Sequence, residues 1–111
     1  MADDPLAAPP YPHPIPAGVR PQIKSISAGS FSGAGQDWPV LFTVSVETCE
    51  PDPTVQVDAA DIEIETPVTI ENNKGTINCR MMLTGMDPGI HLVTVTDANG
   101  VSDAVQIFLT L

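Results

Sequence analysis

Seven of the twelve prolines in this 111-residue chain fall within its first 21 residues, at positions 5, 9, 10, 12, 14, 16 and 21. Four of them alternate through Pro10-Tyr11-Pro12-His13-Pro14-Ile15-Pro16. Proline fixes φ and removes an amide donor, so this stretch cannot enter a helix or an inner strand. The expected form is extended, near polyproline II, with a reach of about 3.1 Å per residue. The chain therefore divides into a proline-rich arm, residues 1–18, and a body, residues 19–111, that must supply the whole core.

The body reads as strands and turns. The segment 38–48 alternates most cleanly, with Val40, Phe42, Val44 and Val46 on one face and Thr43, Ser45 and Glu47 on the other. Further strands are expected at 19–28, where Pro21 demands a sheet edge, and at 55–57, 62–65, 68–70, 76–83, 90–96 and 104–111. The segment 29–36 carries three glycines and is expected to be a flexible loop. Turns are expected at Glu50-Pro51-Asp52-Pro53, at Asn72-Asn73-Lys74-Gly75, at Met86-Asp87-Pro88-Gly89 and at Asp97-Ala98-Asn99-Gly100. No segment carries a helical period. Seven or eight short strands at this spacing predict an all-β fold, an antiparallel β-sandwich.

Charge narrows the function. Fourteen acids against Arg20, Lys24, Lys74 and Arg80 give a net charge of −10. Such a surface repels phosphate backbones and anionic bilayers, so neither nucleic acid nor membrane is expected as a partner. No apolar run is long enough for a membrane-spanning helix. The opening Met1-Ala2-Asp3-Asp4-Pro5 lacks the basic and apolar regions of a secretory signal, which fits either use without export or a signal already removed.

Two cysteines, Cys49 and Cys79, offer one disulfide or two separate thiols. A bridge would close a loop of about thirty residues, worth roughly 3–4 kcal/mol if unstrained. Cys79 shares its face with Ile77, Met81 and Leu83, whereas Cys49 is out of phase with Val40 through Val46. Bridging would need a bulge or bend there. The alternative is one core thiol and one surface thiol.

Catalytic and metal sets are not expected. His13 and His91 lie in different segments without ligands at zinc spacing. Serine chemistry lacks its elbow, and Glu63 and Glu65 share a solvated strand face. Asp97, Asn99 and Asp103, or Asp58 with Asp61, could offer oxygens to calcium, although an Asp-x-Asn-Gly turn needs no ion. Met81 and Met82 must face opposite ways, one into the core and one outward, either onto a partner or under a loop. Trp38 is assigned to the core. No cofactor is expected.

The run Gly89-Ile90-His91-Leu92-Val93-Thr94-Val95-Thr96-Asp97-Ala98-Asn99-Gly100 resembles the penultimate strand and turn of bacterial and phage immunoglobulin-like domains, including the polycystic-kidney-disease-type repeats. Those commonly read Gly-x-Tyr-x-Val-x-Val-x-Asp-x-x-Gly. Gly89, Val93, Val95, Asp97 and Gly100 match, and His91 stands in place of the tyrosine. The resemblance implies an immunoglobulin-like sandwich, used among relatives for adhesion, as a spacer, or as an appendage of phage particles. With the acidic body and the proline-rich arm, the expected role is a non-enzymatic structural protein of the virion. It would decorate or cement a phage-type capsid, with capsid or other structural subunits as partners and a homo-oligomer left open. Leu6, Pro10, Tyr11, Pro12, His13, Pro14, Ile15 and Pro16 are the expected contacts. The alternative is an extracellular module, adhesive or spacing, of a bacterial surface or secreted protein.

Overall fold

The alternation centred on Phe42 becomes the spine of the molecule. A computed structural model describes residues 19–111; the arm, with all of its expected contact residues from Leu6 to Pro16, lies outside the described residues. Ten strand segments occur, and no helix is present among the described residues. In chain order they are β1 (Gln22–Ile26), β2 (Ser30–Ser32), β3 (Pro39–Glu47), β4 (Thr54–Val57), β5 (Ala60–Asp61), β6 (Glu63–Ile64), β7 (Gly75–Met82), β8 (Gly89–Asp97), β9 (Gly100–Val101) and β10 (Val105–Thr110). The count exceeds the expected seven or eight because β5, β6 and β9 are two-residue pieces.

Two sheets form, in the orders β1-β3-β7-β6 and β2-β10-β8-β4-β5, with β9 also on β8. Their inner faces meet in a core of Val44, Val55, Ile77, Met81, Leu83, Val93, Val95, Ile107 and Leu109, each at most 2% exposed. Fully burying one such side chain is worth about 1.5–3 kcal/mol. The β3–β7 ladder runs unbroken from Pro39↔Met82 to Val46↔Gly75, so the strongest alternation in the sequence also makes the longest pairing. β1 is a sheet edge, as Pro21 requires, and a bulge between Ile23 and Ser25 re-phases it.

Several expectations are corrected. The segment 29–36 is not a plain loop. It contains β2, which pairs in parallel with β10, so this sheet is mixed and not antiparallel throughout. Phe31 turns inward there and meets Phe42 with ring centroids 5.7 Å apart. Residues 68–70 form no strand. The turn after them is as expected, with Asn72 and Asn73 at φ 54° and 62° between the bridged Glu71 and Lys74. The hydrogen-bonded turn before β8 lies earlier than expected. Met86 N donates to Leu83 O at 3.0 Å, and Gly85 takes the positive φ of 74°. Trp38 is not a core residue; it is 48% exposed and lies over Gly33.

Cys49 is also re-phased. Thr48 adopts φ 54°, and this left-handed step turns Cys49 inward to full burial beside Val46. Both cysteines are therefore core residues, and both are free thiols.

Candidate functional site

The outer face of β2-β10-β8-β4-β5 is the most distinctive surface of the body. Along β8 both phases are apolar: Val93 and Val95 point into the core, while Ile90 and Leu92 point out at 54% and 43% exposure. Phe108 of β10 stands opposite Ile90 and is 49% exposed. Val101 of β9 extends the apolar area beyond Thr96. Among the outward positions of these described strands, Asp61 is the one charged residue. A near-neutral apolar face on a chain of net charge −10 is a surface suited to another protein segment.

A shallow groove of about 640 Å³ crosses this face between Ala104 and Val101 on one side and Gln56 and Asp61 on the other, with Leu92, Thr94 and Thr96 along its floor. Gln56 organises it. Its Nε2 donates to Thr54 Oγ1 at 2.8 Å and to Asp61 Oδ1 at 3.0 Å. Its Oε1 accepts from Thr94 Oγ1 at 3.1 Å and Thr96 Oγ1 at 2.8 Å. Four bonds at once explain how a glutamine is 91% buried on an outward position, since buried polar groups must be satisfied. Gln56→Ala is expected to lower unfolding stability by about 1–2 kcal/mol in urea melts, because it strips partners from Thr54, Thr94, Thr96 and Asp61. A variant as stable as the parent would show that the network carries no weight.

At one end of the same sheet, His91 joins two loops. Its Nδ1 pairs with Asp58 Oδ2 in the β4–β5 turn, and its Nε2 faces the Asp87 carbonyl oxygen at 2.7 Å. Asp58 Oδ1 also accepts from Leu92 N at 3.0 Å. The ring is 12% exposed. Both ring nitrogens thus meet acceptors, and an imidazole can donate from both only when protonated. The Asp58 hydrogen bond, then the Asp87 carbonyl, raise the His91 pKa above its ordinary value against the opposing effect of burial. At Asp58 partial burial acts upward. The His91 hydrogen bond, the Leu92 amide and the His91 charge outweigh it together and hold the carboxyl below its ordinary value. His91 therefore acts as a latch between the β4–β5 turn and the segment before β8.

At the opposite end three loops are stitched through backbone groups. Glu50 N donates to Asp97 Oδ2 at 2.9 Å, and Asn99 N to Asp97 Oδ1 at 2.7 Å. Cys49 N donates to Asn73 O at 3.0 Å. The carboxylates considered for calcium are thus engaged in structural bonds, as Asp58 and Asp61 also are. Among the described residues no group of three or more His, Cys, Asp or Glu side chains is placed to hold a metal. Asp103 pairs with Arg20 at 3.0 Å, both exposed, a contact worth little by itself.

The two thiols are chemically quiet. Burial, with the Asp97 and Glu50 charges nearby, pushes Cys49 up to about 12, and burial alone pushes Cys79 up to about 12. Cys49 donates to Glu50 O and Cys79 to Ile77 O, at 3.3 and 3.6 Å. Of the methionine pair, Met81 is buried and Met82 is 43% exposed beside Leu41 on the outer face of the other sheet. Glu63 lies on the exposed edge strand β6 and faces Arg80 at 3.9 Å, and Glu65 follows it, also exposed. No protein-family model matches the chain, and no curated protein matches it.

Proposed function

We propose that this chain is a non-enzymatic structural protein with an immunoglobulin-like sandwich, attached to a phage-type capsid through its N-terminal arm. The observation that carries the reading is the apolar outer face of the six-stranded sheet, over which nothing packs among the described residues, on a strongly acidic body. A protein that works by attachment needs such a face, whereas a free-standing acidic domain does not. The strand order supports the immunoglobulin-like assignment. One sheet runs β1-β3-β7-β6 and the other carries β4, β8 and β10, a division of strands between sheets in keeping with that fold. The quiet, unbridged thiols fit a protein that folds without an oxidising compartment.

Sedimentation with capsids of the phage that encodes the chain tests the role. The full chain is expected to pellet with the particles. A chain of residues 19–111 is expected to stay in the supernatant while keeping its β-sheet circular dichroism. If the shortened chain still pellets, the arm is not the attachment. If neither pellets, the capsid reading fails.

A further inference from the structure

We propose that the groove on the outer face of the six-stranded sheet receives a partner-protein segment in which an apolar side chain is followed two residues on by lysine or arginine. The apolar side chain lies on Leu92 and Val101, and the cation meets Asp61. This assignment rests on the capsid reading for the use of the face and adds the chemistry of what the face receives.

Charge selects the sign of the partner. None of the chain's four lysines and arginines lines the groove. Lys24 and Lys74 border a hollow over β1, β3 and β7 in the opposite sheet. Arg80 stands on β7 and faces Glu63. Arg20 is paired with Asp103, 3.0 Å away. An acidic segment approaching the groove would thus meet a body of net charge −10 with no basic side chain to receive it, whereas a basic segment is drawn in.

Asp61 is the carboxylate that the groove offers. Gln56 Nε2 donates to its Oδ1 at 3.0 Å, and Gln56 is itself held by Thr54, Thr94 and Thr96. Asp61 Oδ2 has no partner among the described residues, and the residue is exposed. Asp58, which also lines the groove, is committed instead: its two oxygens are taken by His91 and by Leu92 N. Asp61 is therefore oriented in advance with one oxygen open. A charge-assisted hydrogen bond made there, against apolar surface that excludes water, is stronger than the same bond in open solvent.

The spacing follows from the sheet. Asp61 lies on β5, two strands from the Leu92 of β8. Neighbouring strands are about 4.8 Å apart, so the two residues are separated by about 10 Å. In an extended segment laid across the strands, residues on the same side are about 6.6 Å apart. The long stem of lysine or arginine covers the remainder and packs along apolar surface as it does so. The threonines on the groove floor already donate to Gln56, so covering them strands no hydroxyl.

The test titrates the full chain, free of particles, with two synthetic peptides and follows its amides by NMR at low salt. One peptide is Thr-Leu-Thr-Lys-Thr-Leu-Thr; the other has glutamate in place of lysine. The lysine peptide is expected to shift Asp61, Leu92, Thr94 and Val101. It is expected to bind about ten-fold more tightly than the glutamate peptide, the size of one charge-assisted bond set against one like-charge contact. Asp61→Asn, which keeps an oxygen for Gln56, is expected to erase that preference. Glu65→Gln, which removes the same charge from the opposite sheet, is expected to leave it intact, and Leu92→Lys to abolish the shifts. Equal binding of the two peptides, a preference that survives Asp61→Asn, shifts confined to the other sheet, or no shift at all would each overturn the assignment. The capsid reading fails separately, since it is refuted by a full chain that does not pellet with particles even where the peptides are told apart.

Discussion

Replacing Gly33 with alanine is expected to lower the melting midpoint by about 10–20 °C and to shift the emission of the single tryptophan to longer wavelength. Gly33 has φ 99°, outside the range that side chains tolerate, so any substitution is strained. A Cβ there would sit 2.4 Å from Trp38 Cζ2 and 2.6 Å from Nε1, which forces the half-exposed indole off its seat. The backbone cannot swing aside, because Gly33 N and Ala34 N both donate to Thr110 O, at 2.8 and 2.9 Å. Backbone strain of about 1–3 kcal/mol and overpacking of similar size combine to about 2–4 kcal/mol, reduced where the indole yields. Calorimetry and tryptophan fluorescence give the two readouts. A variant that melts with the parent and keeps its emission maximum would show that the Gly33–Trp38 contact has no structural role.

The second large effect is a dependence on pH. Folding raises the His91 pKa, so its stabilisation is complete below the unfolded value of about 6.5 and fades as pH rises through the higher folded value. Folding lowers the Asp58 pKa, so its share is present above about 3.9 and is lost as pH falls through the folded value. The latch is therefore strongest between these limits and opens on the alkaline side first from neutral pH. Charged hydrogen bonds argue for a larger value, but Asp58 is 48% exposed and solvent screens the pair, leaving about 1–2 kcal/mol. The parent is expected to lose about 5–10 °C between pH 6 and 9, whereas His91→Gln starts lower and stays flat over that range. An NMR titration that places His91 at or below its ordinary value would remove the basis for the latch.

Much of this was legible because strand alternation is local. Val40 to Val46, the 76–83 run and the C-terminal strand announce themselves through side-chain period alone. What was not legible depends on partners distant in sequence or on single backbone angles. The strand at Ser30–Ser32 is only three residues long, sits among glycines, and is stabilised by pairing with Phe108–Thr110, nearly the whole body away. Cys49 was placed out of phase because nothing in its neighbours reveals that Thr48 takes a positive φ. On β8 both phases are apolar, so the period showed which residues share a face but not that Ile90 and Leu92 look outward. A count of charges face by face would have marked the outer side of that sheet, since Asp61 is the lone acid at its outward strand positions. His91 gained its role from Asp58, a turn residue 33 positions earlier, which no spacing rule connects.

The parallel pairing of β2 with β10 sets how the body responds to force. Val19 lies near the start of β10 and Leu111 follows its end, so tension applied through the two ends of the body loads β1 on β3 first and then pulls β2 and β10 in opposite directions along their shared axis. The bonds Gly29 O–Phe108 N and Thr110 O–Gly33 N are then loaded together in shear and cannot open one at a time like a zipper. Resistance to pulling is governed by the unfolding barrier and not by equilibrium stability. The body can thus be a stiff link along one direction whatever its equilibrium stability.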